Sequence, residues 1–125
     1  MATEFEKVLD FQKKVLKNNI PSRGIQTVSE DFEKRTTTYI NEECAELVAA
    51  FKAKDKAEIA DALIDITYFA MGALAQMGVP FHKAFDDVHQ ANMKKKKGIK
   101  KERGLESDGV KPPKWTAPDL NKYFK

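Results

Sequence analysis

The run Glu58-Ile59-Ala60-Asp61-Ala62-Leu63-Ile64-Asp65-Ile66-Thr67-Tyr68-Phe69-Ala70-Met71 is the most apolar stretch of the chain, yet it carries three carboxylates. Glu58, Asp61 and Asp65 are spaced i+3 and i+4, so on a helix they share one stripe. Their apolar neighbours predict that this helix is buried. Like charges at that spacing repel, and buried unpaired charge is costly, so something cationic is expected to face the stripe. Upstream, Glu42-Glu43-Cys44-Ala45-Glu46 places Glu43 and Glu46 on one face of a second helix. ExxE followed by ExxD is an all-oxygen donor set. It suits hard divalent cations such as Mg²⁺, and hence phosphate chemistry. Without His or Cys among the donors, zinc is not expected. A blander reading stays open residue by residue: Glu58 as the capping residue of its helix, and Glu42, Glu43 and Glu46 as a solvated face.

Those carboxylates need helices to position them, and the periodicity predicts four up to about residue 97. The first, over about 3–17, has Phe5, Val8, Leu9, Phe11, Val15 and Leu16 on its apolar face. Thr27-Val28-Ser29-Glu30 has the form of a capping box opening the second, which runs to about Lys54. Asp55-Lys56-Ala57-Glu58 has the same form and starts the third almost at once, so the two make an antiparallel hairpin. The third ends near Met77, with Gly78 as its stop, and Pro80 suits the first turn of the fourth. With a turn near 54–55, Asp61 is level with about residue 48, close to Glu46, and Asp65 with about 44, close to Glu43. Glu58 is level with about 51, one turn from Glu46. All five carboxylates can then line one groove.

The fold class predicted is all-α: a four-helix bundle over 1–97, with a basic, proline-containing tail over 98–125 inside one domain of 125 residues. No segment shows convincing strand alternation, although Asp108-Gly109 could turn a small hairpin. Trp115, Leu120, Tyr123 and Phe124 are too apolar for a free tail and should pin it to the bundle or to a neighbouring subunit. A third helix apolar nearly all round predicts a dimer or larger. The single cysteine, Cys44, excludes an internal disulfide and reads as a small buried hydrophobe in a reducing compartment. The charged N-terminus is unlike a signal peptide, and the apolar run over 66–75 is too short to span a bilayer, so a cytoplasmic protein is expected. Net charge is only +3, but it is segregated: basic over 94–103, acidic over 42–65. If the two meet, they make a pocket for a metal-bound polyanion.

The phrases Glu42-Glu43-Cys44-Ala45-Glu46 and Glu58-Ile59-Ala60-Asp61 resemble the EExxE…ExxD signature of the MazG-like all-α nucleoside triphosphate pyrophosphohydrolases. Asp61-Ala62-Leu63-Ile64-Asp65-Ile66-Thr67-Tyr68 is similar to that family's third-helix segment. Val88-His89-Gln90-Ala91-Asn92-Met93-Lys94-Lys95 and Lys111-Pro112-Pro113-Lys114-Trp115 with Pro118-Asp119 resemble phrases of the phosphoribosyl-ATP pyrophosphohydrolase-like branch. The eleven residues between Glu46 and Glu58 stand near the family's lower limit. The resemblance implies a helical dimer or tetramer that uses two or more Mg²⁺ or Mn²⁺ ions and cuts between the α and β phosphates. It implies Glu43, Glu46, Glu58 and Asp61 as metal ligands, with Asp65 as an additional acidic position. Asn92 and Lys95 would hold phosphate or sugar, with Lys96 and Lys111 adding charge. Glu42 or Glu43 would orient the attacking water. His82 and His89 read as surface polarity.

A different class of function competes: a helical module binding nucleic acid through the 94–103 segment. It leaves the acidic stripe unexplained and lacks an aromatic platform for bases, so nucleic acid is not the expected partner. The base of a nucleotide substrate would be read by the first helix (Phe11, Gln12, Val15) and the loop over 20–25. Stand-alone length and the closing segment look like phage-type members, which leans the substrate toward a purine dNTP such as dGTP or dATP. A dUTP- or dCTP-directed enzyme is the alternative within the same fold.

Overall fold

The computed structural model describes residues 1–100 and 105–125, and the chain divides into two compact units, Met1–Val79 and Pro80–Lys125. The first unit holds three helices: α1 (Glu4–Lys14), α2 (Glu30–Ala53) and α3 (Lys56–Gln76). Thr3 caps α1 in a reciprocal box with Glu6, each side chain accepting from the other residue's backbone N–H at 3.1–3.2 Å. Phe5, Val8 and Gln12, three and four residues apart, form its buried face. α1 stops three residues earlier than its periodicity suggests, and Lys17 turns the chain with a φ of 56°.

Ser29, rather than Thr27, caps α2: its Oγ accepts from the Phe32 N–H at 3.1 Å. Lys54 ends α2 in the left-handed region, and Asp55 immediately caps α3 through the Glu58 N–H at 3.1 Å. This connection folds α2 and α3 into the expected hairpin. Tyr39 and Phe69 stack across it, with ring centroids 5.5 Å apart, and that pair fixes which residues are level. Phe11 of α1 meets Tyr68 of α3 edge-on, also at 5.5 Å. Past α3, Gly78 has a φ of 71°, and a Cβ there would lie 2.1 Å from the Arg23 carbonyl oxygen. Only glycine permits that crossing, which the Ile25 N–H to Met77 carbonyl bond reinforces at 3.0 Å.

The expectation that α3 is buried holds only for its small residues, Ala62, Gly72 and Ala75. Leu63 and Ile64 are 48% and 63% exposed, because α1 and α2 cover only part of its circumference. Cys44, expected to be buried, is exposed.

The second unit begins with α4 (Phe81–Asn92), with Pro80 at the capping position rather than inside the first turn. α4 ends before the lysine run, so Lys94–Lys97 is not helical. An antiparallel ribbon follows, which the absence of alternation had argued against: β1 (Lys96–Lys100) pairs with β2 (Leu105–Val110) in the register Lys96↔Val110, Lys97↔Gly109, Gly98↔Asp108. Asp108 and Gly109 lie within β2, not at a turn. The connection falls on residues 101–104, outside the described residues, together with the end of the basic segment. A short 3₁₀ helix, Leu120–Phe124, returns to α4: Tyr123 donates to Asp87 Oδ2, and Lys122 Nζ lies 3.0 Å from the same oxygen. Trp115 Nε1 donates to the Ala91 carbonyl at 2.7 Å. Among the described residues no single helix is long and apolar enough to cross a membrane.

Candidate active site

From the stacked Tyr39–Phe69 pair, one turn along α2 and one turn back along α3 toward the connection lead to Glu43 and Asp65. A further turn leads to Glu46 and Asp61. Three carboxylates therefore act on a fourth, Glu43. Its carboxyl is pushed above the ordinary value of 4.5, first by burial, then by the hydrogen bond and charge of Glu46, then by the charges of Asp65 and Asp61. Its Oε2 is buried with no hydrogen-bond partner. No lysine or arginine among the described residues pairs with any of the four, so the cation expected opposite the stripe is not a side chain of this part of the chain.

An orphaned, partly desolvated carboxylate oxygen surrounded by like charges is a strong attractor for a hard cation. Among the described residues no three such side chains already converge into a metal cage. All-oxygen carboxylate donors are the ligand type that Mg²⁺ takes, together with several waters and substrate phosphates. The donor set fits the ion in chemistry and charge.

Of the remaining sequence-derived candidates, Glu42 and Glu58 are exposed, and the carboxylates acting on Glu43 are Glu46, Asp65 and Asp61. Asn92 ends α4 and is exposed, as is Lys96 at the start of β1. Lys95 and Lys111 come together: their ammonium groups lie 5.2 and 5.0 Å from the centroid of the Trp115 ring. Gln12 is buried, and its Oε1 accepts from Asn18 Nδ2 at 2.9 Å and from Gln76 Nε2 at 3.1 Å.

Next to the acidic groove is a cavity of about 400 Å³, lined among others by Phe11, Gln12, Tyr39, Tyr68, Phe69 and Gln76. Of the residues expected to read a base, Phe11 and Gln12 line this cavity, whereas Val15 and the loop over 20–25 do not; Tyr39, Phe69 and Gln76 line it without having been expected. The usable signal was the acidic stripe itself, since Asp61, Asp65, Phe69, Ala73 and Gln76 continue one face of α3 at helical spacing. Asn18, in the loop after α1, carried no signal.

Comparison with known proteins bears on the chemistry of this groove. The family model for phosphoribosyl-ATP pyrophosphohydrolase matches residues 2–92. Phosphoribosyl-ATP pyrophosphatases of Bacillus cereus (strain AH820) and Bacillus anthracis (strain A0248) are each 24% identical over 94 residues, covering 75% of this chain and 88% of theirs. That of Bacillus mycoides (strain KBAB4) is 29% identical over 89 residues, covering 65% of this chain and 83% of its own. The matched region contains the whole α2–α3 hairpin with its four facing carboxylates, and the chain belongs to the phosphoribosyl-ATP pyrophosphohydrolase family, the MazG-like all-α hydrolases that act on a pyrophosphate bond of a nucleotide.

Proposed function

We propose that this chain is a Mg²⁺-dependent pyrophosphohydrolase that converts a deoxynucleoside triphosphate, preferably a purine such as dGTP or dATP, to the monophosphate and pyrophosphate. The observation that carries this reading is the orphaned Glu43 oxygen facing Glu46, Asp61 and Asp65, with which no lysine or arginine of the described residues forms an ion pair. Glu43, Glu46, Asp61 and Asp65 would hold the metal, with Glu58 one turn away at the rim. Mg²⁺ held there would supply charge neutralisation and a more acidic water. Glu42 or Glu43 orients the attacking water. The resemblance implies that Asn92, Lys95, Lys96 and Lys111 would neutralise the phosphates, and Gln12 stands in the wall of the nucleoside cavity. Nothing in the sequence resembles the glycine-rich Lys-Ser/Thr loop that supports transfer of a terminal phosphate, which favours cleavage between α and β. The exposed Leu63, Ile64, Val48 and Phe51 favour a homodimer or homotetramer. The enzyme would work in the cytoplasm.

The names of the Bacillus relatives favour a second reading, in which phosphoribosyl-ATP itself is the substrate. One panel decides between them: all NTPs and dNTPs plus phosphoribosyl-ATP, each with Mg²⁺ in ¹⁸O-labelled water, products resolved by chromatography. A dNMP and pyrophosphate in equal amounts is the expected outcome. Orthophosphate with accumulating diphosphate refutes α–β cleavage. Salt-sensitive binding to random duplex DNA without turnover would instead favour a nucleic-acid module.

A further inference from the structure

We propose that the cavity between Phe11, Tyr39, Tyr68 and Phe69 is the base pocket of the nucleotide cleaved in the acidic groove, with Gln76 and Asn18 reading the base edge and Gln12 acting as the positioning residue that holds both. The assignment rests on the catalytic reading above for the identity of the ligand, but its geometry is independent of it.

Gln12 is poorly placed to read a base itself. It is 6% exposed, its carbonyl oxygen already accepts two hydrogen bonds, the capacity of its lone pairs, and its Nε2 is packed against Gly72, where an added Cβ would lie 2.7 Å away. The two donors are in the opposite condition. Asn18 and Gln76 each spend one amide N–H on Gln12, at 2.9 and 3.1 Å, and each keeps one N–H and a carbonyl oxygen. Among the described residues neither side chain makes another hydrogen bond. A carboxamide with a free N–H and C=O side by side presents the paired donor and acceptor that match a nucleobase edge. Both residues line the cavity.

The walls suit a planar ring. Phe11 and Tyr68 meet at 80° and Tyr39 and Phe69 at 25°, giving apolar faces on which a base can stack. The volume of about 400 Å³ falls within the usual range for small-molecule sites, with mostly apolar walls and a few convergent polar groups. The placement along the hairpin also fits. Tyr39 and Phe69 stand one turn, about 6 Å of axial rise, from Glu43 and Asp65. A base in the cavity would therefore leave its α phosphate, one sugar away, beside the carboxylates. A second groove of about 440 Å³, lined by Val8, Leu63, Ile64, Thr67 and Met71 among others, has no convergent amides and lies off the acidic stripe of α3.

The test compares wild type with Gln76→Met and Asn18→Ala. Mg²⁺-dependent cleavage is measured over the dNTPs, with each dNMP and inorganic pyrophosphate as product inhibitors. Binding of each dNMP is also followed through the NMR resonances of Tyr39 and Tyr68, which requires no turnover. The expected result is a rise of about tenfold in KM and in the inhibition constant of the matching dNMP, consistent with loss of a hydrogen bond to the ligand. Preference among bases should flatten, kcat should stay near wild type, and inhibition by pyrophosphate should be unchanged. A merely structural role would lower kcat and the melting temperature together and leave base preference intact. Unchanged KM and base ranking in both folded variants overturns the proposal and leaves the catalytic reading standing. A wild type that cleaves nothing, yet shows dNMP shifts at Tyr39 and Tyr68 that Gln76→Met removes, keeps the pocket and rejects the catalytic reading. Absence of both cleavage and shifts rejects both.

Discussion

Replacing Gly72 by alanine sets two opposed effects against each other at one atom. In the middle of α3, alanine is favoured over glycine by about 1 kcal/mol through backbone entropy alone. The added Cβ, however, would lie 2.7 Å from Gln12 Nε2, with Gln12 Cδ at 3.7 Å and Val8 Cγ1 at 3.9 Å. Relief to ordinary contact needs a shift of roughly 0.7 Å, and the 6%-exposed Gln12 has little open space to take it. Its hydrogen bonds already span 2.9 and 3.1 Å, so that shift stretches at least one beyond hydrogen-bonding range. Losing one neutral bond costs about 0.5–1.5 kcal/mol, which largely offsets the helix gain. The expected outcome is a melting temperature within roughly 5 °C of wild type by circular dichroism, together with a clearly raised KM. A variant melting more than about 5 °C higher with unchanged KM would show that Gln12 yields freely and that the amide cluster is not a fixed wall. Severe destabilisation would show instead that the cluster holds α1 and α3 together.

Glu46→Gln preserves shape while removing one of four facing charges, so turnover should fall by about 100-fold or more while the far-ultraviolet dichroism is retained; near-wild-type activity would remove the metal site from the groove. Because burial and its acidic neighbours raise the Glu43 pKa in the fold, the folded chain holds more protons there than the unfolded chain. Its contribution to the stability of the metal-free protein is thus fully present below pH 4.5 and lost as pH rises through the raised value, whereas stabilisation by added Mg²⁺ should grow over the same interval; melting curves against pH, with and without the ion, check both signs. Light scattering should give a mass at least twice 14.2 kDa at micromolar concentration, since a monomer would leave Leu63 and Ile64 in water.

The helices and the hairpin were legible because their causes are local. A 3.6-residue period, Asp55 capping α3 directly after Lys54 ends α2, and Gly78 after the last turn all act between near neighbours. Level positions then followed from rise per residue, which brings Glu43 to Asp65 and Glu46 to Asp61. Finer boundaries escaped for physical reasons. Ser29 outcompeted Thr27 as the cap, and a lysine-rich strand has no alternation to read, so the Lys96–Lys100 ribbon was hidden. Burial was misjudged at Leu63, Ile64 and Cys44 because apolar character states a preference, while exposure depends on which neighbours arrive. Only the tertiary structure could assemble Gln12 with Gln76, 64 positions away, against Gly72 and the loop residue Asn18. Sequence by itself determined where the charge lies along each helix. The cavity beside that charge arises from three separate segments meeting, and no local pattern in any one of them encodes the meeting.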